Sequence, residues 1–470
     1  MTFRAARSAA GVAALAALVL GAPGCAVDEA EEVAQYRRVL DAGITTTPAP
    51  PAAGKRLDLA TAMRLANARD EALAAVGEDY VRSLIERRRA VASFLPTIML
   101  SPRAFARDRV RPDDDTRGVD VPATFEMDVS PVTDLAELDR TDLDAERRRA
   151  LLLAAQDDLL LDVGRTHFAV LLAERRSEVL RSSIALQEAR VEDARARTEA
   201  GLQPPLDVAL AESRAADARG DLVDSERVAR NGRTLLSFLT GWRVGDTPLD
   251  GTLALTTEPA PAEDLVRDAI RLRPEVLAAI TAVPVAEADL RAAYGGYWPS
   301  VTIDVEAFLS QDSEPTDLDW AALLEVHIPL FQAGLVEADV REALSRLREA
   351  KLLAARAERS VRLDVETARE GYVSVGRRLH ELAVRLEASR RALDLADGQW
   401  KAGIGTNLER LTAQDDLLAV ELDVATAELE KRIRRLELER ACGRLHEIAG
   451  LRRELRTPPG GEEAQRAASR

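Results

Sequence analysis

The stretch Lys401-Ala402-Gly403-Ile404-Gly405-Thr406-Asn407-Leu408-Glu409 decides the fold, because its first half has a counterpart earlier in the chain. The triplet Ala200-Gly201-Leu202 repeats the pattern of small residue, glycine and apolar residue at a distance of 403 − 201 = 202 positions. Gly443 follows Gly241 at the same distance, 443 − 241 = 202. An internal repeat of this kind predicts two copies of one structural unit.

Each of these glycine triplets lies within a long segment that lacks proline. Proline is absent from 132–203 and from 330–457. Within the second segment, residues 361–396 show a seam of mostly apolar positions at alternating steps of four and three, which is the 3.5-residue period of a coiled coil. The sequence therefore predicts two long helical hairpins, each of which turns at one of the glycine triplets.

Short stretches with period-two alternation precede each hairpin and predict β-strands. The candidates are 97–106, 123–130, 300–309 and 320–328. At about 8 to 10 residues, each suits a tilted strand that spans a membrane, and each pair has one polar and one apolar face. Four strands cannot close a barrel, and lipid excludes open sheet edges, so several chains would have to pool their strands. The alternative is a small soluble sheet that caps a coiled coil.

Composition and charge limit the function. Only 4% of the residues are aromatic and 31% are charged, which is typical of long helices and coiled coils. The net charge of −16 disfavours nucleic acid as a partner. The four histidines are scattered, and no phosphate loop, nucleophile elbow or thiol pair is present. We therefore expect no enzyme and no cofactor; a metal in the polar loop around 113–115 is a weak alternative.

The N-terminus is expected to direct export. Arg4 and Arg7 precede an apolar run, 9–20, that is too short to span a membrane and fits a signal peptide. Cys25 follows Gly24 and is the candidate lipidation site of a lipoprotein, with palmitate among its acyl chains; simple cleavage without lipid is the alternative. Cys442 is interpreted as a small buried apolar residue.

The chain is expected to divide at changes in pattern and composition. The predicted parts are a signal peptide (1–24), a lipidated N-terminus with a flexible tether (25–56), repeat 1 (57–241), a linker (242–262), repeat 2 (263–446) and a polar tail (447–470).

Four segments, taken together, resemble the TolC-like outer-membrane efflux protein family over about 57–446. They are 92–97, 296–301, the stretch Ile328-Pro329-Leu330-Phe331 followed by Gly334, and 401–409 followed by Leu411, Ala413 and Gln414. The resemblance implies a mostly α fold with a small β part, in which a trimer forms a long helical tunnel topped by a shared twelve-stranded β-barrel. It also implies a bacterial outer-membrane location, with a lipid anchor at Cys25 and a long periplasmic part.

The resemblance assigns expected roles to several residues. Ala200, Gly201, Leu202, Ala402, Gly403 and Ile404 would contact a periplasmic adaptor (membrane-fusion) protein, although glycine also serves simply to reverse a helix. Glu409 matches the first of two acidic gate positions, and the second falls on Thr412, which departs from the family pattern. A solvated tip carboxylate is the alternative for Glu409. Glu126, Asp128, Asp304, Glu306 and Glu325 would face the barrel lumen, or else the exposed face of a soluble sheet.

The expected function is the exit duct of a tripartite efflux or type I secretion system, which receives substrate from an adaptor and an inner-membrane transporter. The expected partners are two further copies of the chain, the adaptor, the transporter and outer-membrane lipid. A periplasmic coiled-coil adaptor or a structural lipoprotein is the alternative. The residues do not indicate which substrate would pass.

Overall fold

The computed structural model describes residues 28–43, 49–52, 54–106, 117–253, 260–310 and 320–453. Over these residues the chain is mostly helical and carries one small sheet, as predicted. The predicted signal peptide, Cys25, the loop around 113–115 and the tail from 457 onward lie outside the described residues.

The elements follow the predicted order in each repeat. An N-terminal helix, α1 (Glu29–Leu40), precedes repeat 1. Repeat 1 contains α2 (Leu59–Arg69), α3 (Glu71–Ala92), β1 (Thr97–Leu100), β2 (Arg103–Ala106), β3 (Arg117–Val129), α4 (Pro131–Glu199) and α5 (Pro205–Thr240). Repeat 2 contains α6 (Ala262–Leu272), α7 (Pro274–Gly295), β4 (Ser300–Ser310), β5 (Trp320–His327), α8 (Leu335–Lys401) and α9 (Asn407–Ala441), and a short α10 (Leu445–Ile448) follows.

The two repeats have nearly equal helix lengths. Helices α2 and α6 have 11 residues each, and α3 and α7 have 22 each. Helices α4 and α8 have 69 and 67 residues, and α5 and α9 have 36 and 35. The predicted fold class, a mostly α chain with a duplicated strand and hairpin unit, is confirmed. The adaptor alternative, with one hairpin between β-rich halves, does not match this plan.

The four long helices lie side by side in the order α5–α4–α9–α8, because α5 packs on α4, α4 on α9 and α9 on α8. Within 361–396 of α8, every predicted seam position is buried or half-buried. Val361 and Val365, the first two positions of this seam, are fully buried. The second hairpin is thus held by this seam, and α5 and α8 form the two edges of the layer.

The main apolar core lies where α2 crosses the middle of α4. Met63, Phe168 and Leu436 are fully buried there, and burial of each such side chain stabilises the fold by about 1.5–3 kcal/mol. Gly164 permits the close approach of α9, since a Cβ at this position would lie 2.5 Å from a methyl group of Leu436. Cys442 is fully buried in a second cluster, and burial raises the pKa of its thiol to about 11, as suits a small apolar core residue.

The strands form one antiparallel sheet in the order β1-β3-β4-β5, with β2 also paired to β3. β1 and β2 replace the single strand predicted at 97–106, because Pro102 between them has no N–H to donate. β3 begins at Arg117, six residues before the strand predicted at 123–130, because residues 117–120 pair with β2. Among the described residues, the sheet therefore has two open edges, one formed by β1 and the other by β5.

The expected flexible tether is wrong for Glu29–Leu40, which forms helix α1. The Asp28 carboxylate accepts hydrogen bonds from the first-turn backbone, and Tyr36 and Leu40 are buried against the neighbouring helices. Tyr36 packs on Gly77 of α3, where a Cβ would lie 2.5 Å from its ring. The sequence does contain the signal for this helix, an N-cap aspartate followed by acidic residues in the first turn.

The expected polar tail is likewise wrong for its first residues, which pack on α4. Leu451 is buried, and the Arg453 guanidinium lies 2.6 Å from the Asp157 carboxylate, with only 2% and 3% of these side chains exposed. Arg453 also donates to the Gln156 side chain at 3.3 Å, and the Gln156 amide donates to the Leu40 carbonyl at 2.9 Å. The first helix and the last described residues are therefore tied to one point on α4.

Replacement of Arg453 by alanine is expected to destabilise the protein by about 3–5 kcal/mol, because the Asp157 carboxylate would remain buried without its cation. The matched control is Arg227→Ala, which breaks an exposed arginine–aspartate pair with Asp224 and should cost less than about 1 kcal/mol. Urea unfolding followed by circular dichroism measures both changes. Equal losses in the two variants would contradict a stabilising role for the buried pair.

Candidate functional site

The five carboxylates predicted on the polar strand faces share one face of the sheet. Glu126 lies opposite Asp304, and Thr302 lies between Asp128 and Glu325 on its two neighbouring strands. Opposed residues of an antiparallel ladder point to the same side, and so do residues two apart along one strand. The carboxylates brought together on this face are Glu126, Asp128, Asp304, Glu306 and Glu325.

Two contacts on this acidic face were not predicted from the sequence. The Thr302 hydroxyl donates to the Asp128 carboxylate at 2.5 Å. The Arg103 guanidinium lies 3.6 Å from Asp120 and 3.7 Å from Glu306, so it partly offsets the acidic charge near one end of the sheet. Only the pairing of β2 with β3 reveals this contact, because the sequence separation of Arg103 and Glu306 gives no signal.

The opposite face of the sheet is apolar. Ile98 and Leu324 on this face are largely exposed, and no other part of the described chain covers them. The side chains that share this face by register are Ile98, Ala123, Phe125, Met127, Val129, Val301, Ile303, Val305, Ala322, Leu324 and Val326. The sheet thus separates one charged surface from one apolar surface across the thickness of a single layer.

The two hairpin tips have the same backbone geometry. At the first, the Leu202 N–H donates to the Arg197 carbonyl at 2.8 Å, and Gly201 has a φ of +72°. At the second, the Ile404 N–H donates to the Gln399 carbonyl at 3.1 Å, and Gly403 has a φ of +75°. In this type of helix cap, a glycine adopts the left-handed backbone conformation, and the N–H groups at the turn donate hydrogen bonds to the last carbonyls of the helix. The glycines therefore do serve to end the helices.

The apolar residue of each tip triplet points into solvent, with 73% of Leu202 and 80% of Ile404 exposed. A helix cap of this type is often completed by an apolar contact back to the helix, and such strong exposure leaves both side chains available to a partner. Ala200 and Ala402, which precede the glycines, occupy the helix C-caps. Adaptor contact by the six triplet residues therefore stays a prediction that the exposure favours.

Glu409 has a structural role that the sequence analysis missed. Its carboxylate accepts from the Thr406 N–H at 2.8 Å, while its own N–H donates to the Thr406 hydroxyl at 3.2 Å, which together form a capping box at the start of α9. These hydrogen bonds with Thr406 lower the pKa of the Glu409 carboxyl. Thr412 is exposed one turn on, and its hydroxyl donates to the Leu408 carbonyl at 2.8 Å. The gate role of Glu409 and Thr412 stays a prediction.

Near the tips, charged and aromatic side chains join the two hairpins. Arg190 of α4 lies 3.4 Å from Asp397 of α8, and Arg410 of α9 lies 3.8 Å from Asp193 of α4. The Trp400 ring sits between the guanidiniums of Arg197 and Arg410, at 5.2 and 5.0 Å from its centroid, where cation–π attraction operates. We call Arg190, Asp193, Arg197, Asp397, Trp400 and Arg410 the tip cluster.

Burial makes the tip cluster energetically costly. Arg190 and Arg410 are both buried, and desolvation lowers the pKa of each guanidinium. The Gln414 side chain, one turn beyond Arg410, is buried, and neither of its amide atoms has a hydrogen-bond partner among the described residues. A polar group without a partner in a protein interior weakens the packing around it, so this end of the hairpin interface is held less firmly than the apolar core.

Within the described ranges, no group of three or more histidine, cysteine, aspartate or glutamate side chains is arranged to hold a metal. Among the helices that the structure describes, none is both long and apolar enough to cross a membrane.

Comparison with known proteins identifies similar sequences and folds. The family model described as outer membrane efflux protein matches residues 265–444. The chain is 26% identical over 292 residues to the pyoverdine export outer membrane protein OpmQ of Pseudomonas aeruginosa. The aligned region covers 59% of this chain and 59% of OpmQ. It is 24% identical over 335 residues to the outer membrane protein TolC of Vibrio cholerae, across 69% of this chain and 76% of TolC.

A solved structure shares the fold. The outer membrane protein VceC from Vibrio cholerae superimposes with a TM-score of 0.73 at 17% identity, over 82% of this chain and 96% of VceC. At that identity the likeness is one of fold. Together with the family match, it confirms the resemblance to TolC-like outer-membrane efflux proteins that the repeated segments predict. The similar proteins are export and outer-membrane proteins rather than enzymes.

The substitution Glu409→Gln separates the two roles of this residue, because glutamine keeps the capping box but removes the charge. If Glu409 lines a gate, the variant should lose cation selectivity and divalent block in single-channel recordings while its helix content is unchanged. Because its pKa is lowered, the wild-type carboxylate should keep this selectivity down to acidic pH.

The control is Thr406→Ala, which removes the cap and keeps the charge, and which should leave selectivity intact. Wild-type selectivity in Glu409→Gln would assign the residue to the capping box alone.

Proposed function

We propose that this chain, whose second repeat matches the outer membrane efflux proteins, forms the outer-membrane exit duct of a tripartite efflux or type I secretion system. The observation that carries the proposal is the two-faced sheet on top of a layer of long helices. One face is apolar and exposed, as contact with lipid requires, and the other is acidic, as a water-filled lumen allows.

Three copies of the chain would close the duct. β1 and β5 each have a free edge, and unpaired backbone groups are not tolerated in the hydrocarbon region. With β1 and β2 counted as one interrupted strand, each copy supplies four strands and a trimer supplies twelve. The edge helices agree with this assembly, because α5 exposes Val223 and Phe238, and α8 exposes Leu352, Leu363 and Leu395.

A lipid anchor on Cys25 fits the position of α1. Glu32 of α1 lies 3.5 Å from Arg88, near the end of α3 that leads into β1, while Tyr36 lies farther back against Gly77. The N-terminus of α1 therefore points toward the sheet. Cys25 lies outside the described residues, three positions before Asp28, so an acyl chain on it would anchor the end of the protein that carries the sheet.

The helix tips would face the opposite direction, toward the cell interior. The exposed Leu202 and Ile404 offer apolar contacts to a periplasmic adaptor, and glycine next to each permits close approach of a second backbone. The adaptor in turn would connect the duct to an inner-membrane transporter, which selects the substrate. In the closed duct the tip cluster would hold the two hairpins of each copy together.

Purified in detergent, the full-length mature protein is expected to have the mass of three copies, and in planar bilayers it should form cation-selective channels. Light scattering with refractive index correction gives the protein mass without the detergent. A stable single copy without channel activity would contradict the proposal, because its sheet edges would then be satisfied without partners.

Leu202→Asp and Ile404→Asp are expected to abolish export without loss of the trimer, because each places a charge on an exposed apolar contact. The measurement is accumulation of the cognate transporter's substrate in cells that also express the cognate adaptor. Gln399→Asp is the control, since it adds the same charge at an exposed position one turn away. Wild-type export by both tip variants would remove the tips from the adaptor interface.

A further inference from the structure

Buried polar atoms without a hydrogen-bond partner are concentrated close to the hairpin tips. Gln187 and Arg190 of α4 and Arg410 and Gln414 of α9 are only 3% to 8% exposed. Within the described part of the chain, Arg190 Nη1, Arg410 Nε and both amide atoms of Gln414 lack a partner, and so does Gln187 Oε1. A native interior rarely leaves such atoms unsatisfied, so a cluster of them points to a bound ion or water.

These side chains face one another across the two hairpins. Gln187 lies one turn before Arg190 on α4, Gln414 lies one turn after Arg410 on α9, and α4 packs on α9. Burial lowers the pKa of the Arg190 guanidinium, and the nearby charge of Arg410 lowers it further. The four side chains therefore border a common region, to which one hairpin contributes Arg190 and the other contributes Arg410.

Hydrogen-bond donors predominate in this region. A guanidinium can donate but cannot accept, so Arg190 Nη1 and Arg410 Nε each require an acceptor, and Gln414 Nε2 is a third donor. The Gln187 amide nitrogen already donates to the Ser183 hydroxyl at 3.3 Å, which leaves only its oxygen. Among the described residues, three donors from two hairpins thus have no acceptor, and this favours a ligand that accepts hydrogen bonds without donating any.

The charge of the two arginines is incompletely balanced. Arg190 lies 3.4 Å from Asp397 and Arg410 lies 3.8 Å from Asp193, whereas charge-assisted pairs in good geometry lie about 2.7–2.9 Å apart. Both carboxylates are also more exposed to water than the arginines, with 34% and 40% of their side chains accessible. The positive charge is therefore buried more deeply than the negative charge that accompanies it.

Another buried arginine of the chain has a complete counterion and serves for comparison. Arg453 lies 2.6 Å from Asp157, and both side chains are almost fully buried. Near Arg190, in contrast, the third carboxylate, that of Asp415, forms its ion pair with Arg214 at 3.2 Å. A buried cation without a close counterion is costly, so an anion beside Arg190 would remove a cost that Arg453 does not incur.

We propose that a small monatomic anion, chloride, binds between Arg190 and Arg410 and accepts a third hydrogen bond from Gln414. Water would supply an acceptor but no negative charge. Because every bordering side chain is more than nine-tenths buried, a monatomic ion suits the region better than an oxyanion. The site lies within one copy of the chain, so it stands or falls independently of the proposed exit duct.

The site belongs to the contact between the hairpins and not to the repeated unit. At the repeat distance of 202 positions, Arg190 corresponds to Ala392, and Arg410 corresponds to Val208. The duplication therefore supplies no second copy of these donors, and one anion per chain is expected. Because the donors come from both hairpins, the ion would leave when the tips part, so chloride should favour the joined hairpins.

Hydrogen exchange of the full-length mature protein tests the site, with potassium chloride compared with potassium gluconate at equal ionic strength. When chloride is at ten times its dissociation constant, opening of the tip interface should be about elevenfold rarer. Backbone amides in 187–197 and 407–418 should then exchange about elevenfold more slowly. Amides around Phe168, in the apolar core, are the internal control and should not respond to chloride.

Arg190→Gln and Gln414→Leu each remove one donor and should abolish the response to chloride. Gln414→Leu leaves every charge in place, so the test remains available if Arg190→Gln does not fold. The matched control is Arg195→Gln, which removes a half-exposed arginine of the same helix and should keep the response. Equal responses in Arg190→Gln and Arg195→Gln would show that chloride acts only by general screening and would overturn the site.

Bromide locates the ion directly. Crystals of the wild-type protein grown in sodium bromide and measured at the bromine absorption edge should show an anomalous peak between Arg190 and Arg410. Sulfate in that place when both salts are present would overturn the assignment to a monatomic anion. A water molecule there, without anomalous signal and with the hairpins joined, would overturn the proposal.

Discussion

The structure depends on the backbone groups that β1 and β5 leave unpaired at the two edges of one small sheet. In water these N–H and C=O groups bind solvent, but in hydrocarbon each would cost several kcal/mol. No described element of the same chain covers either edge. The apolar face, the acidic face and the exposed edge helices have a common explanation once the edges are paired by further copies, and each would be hard to explain in an isolated protomer.

Periodic features were predictable from the sequence, and contacts between distant segments were not. The heptad of α8 and the alternation in β4 are local patterns, and both elements form where the sequence places them. The packing of helix α1 depends instead on the contact of Tyr36 with Gly77, and that of the C-terminal segment depends on the ion pair of Arg453 with Asp157. No periodic pattern in the sequence predicts either contact. The register of the sheet brought five predicted carboxylates together, but their counter-charge, Arg103, became visible only through strand pairing.

The interface between the two hairpins changes character along its length. Around Phe168 and Leu436 it is apolar and closely packed, so any separation there would expose a large area to water. At the tip cluster, charged side chains and Trp400 make the contacts, and water can solvate the charged groups when the hairpins part. The same pair of helices is thus firmly joined at the middle and more easily separated at the tips. Glu409 belongs to this labile end, although the sequence alone did not show that its carboxylate already caps a helix.

The tie between the two chain ends sets an order for assembly. Gln156 contacts both Leu40 of α1 and Arg453, the last residue that the structure describes. Helix α1 is synthesised first, yet its packing site on α4 is complete only after more than 400 further residues have followed. Such pairing of distant segments slows folding, so the part of α4 around Gln156 should be the last to become rigid, and a chain that stops before Arg453 would lack part of the packing that holds α1 in place.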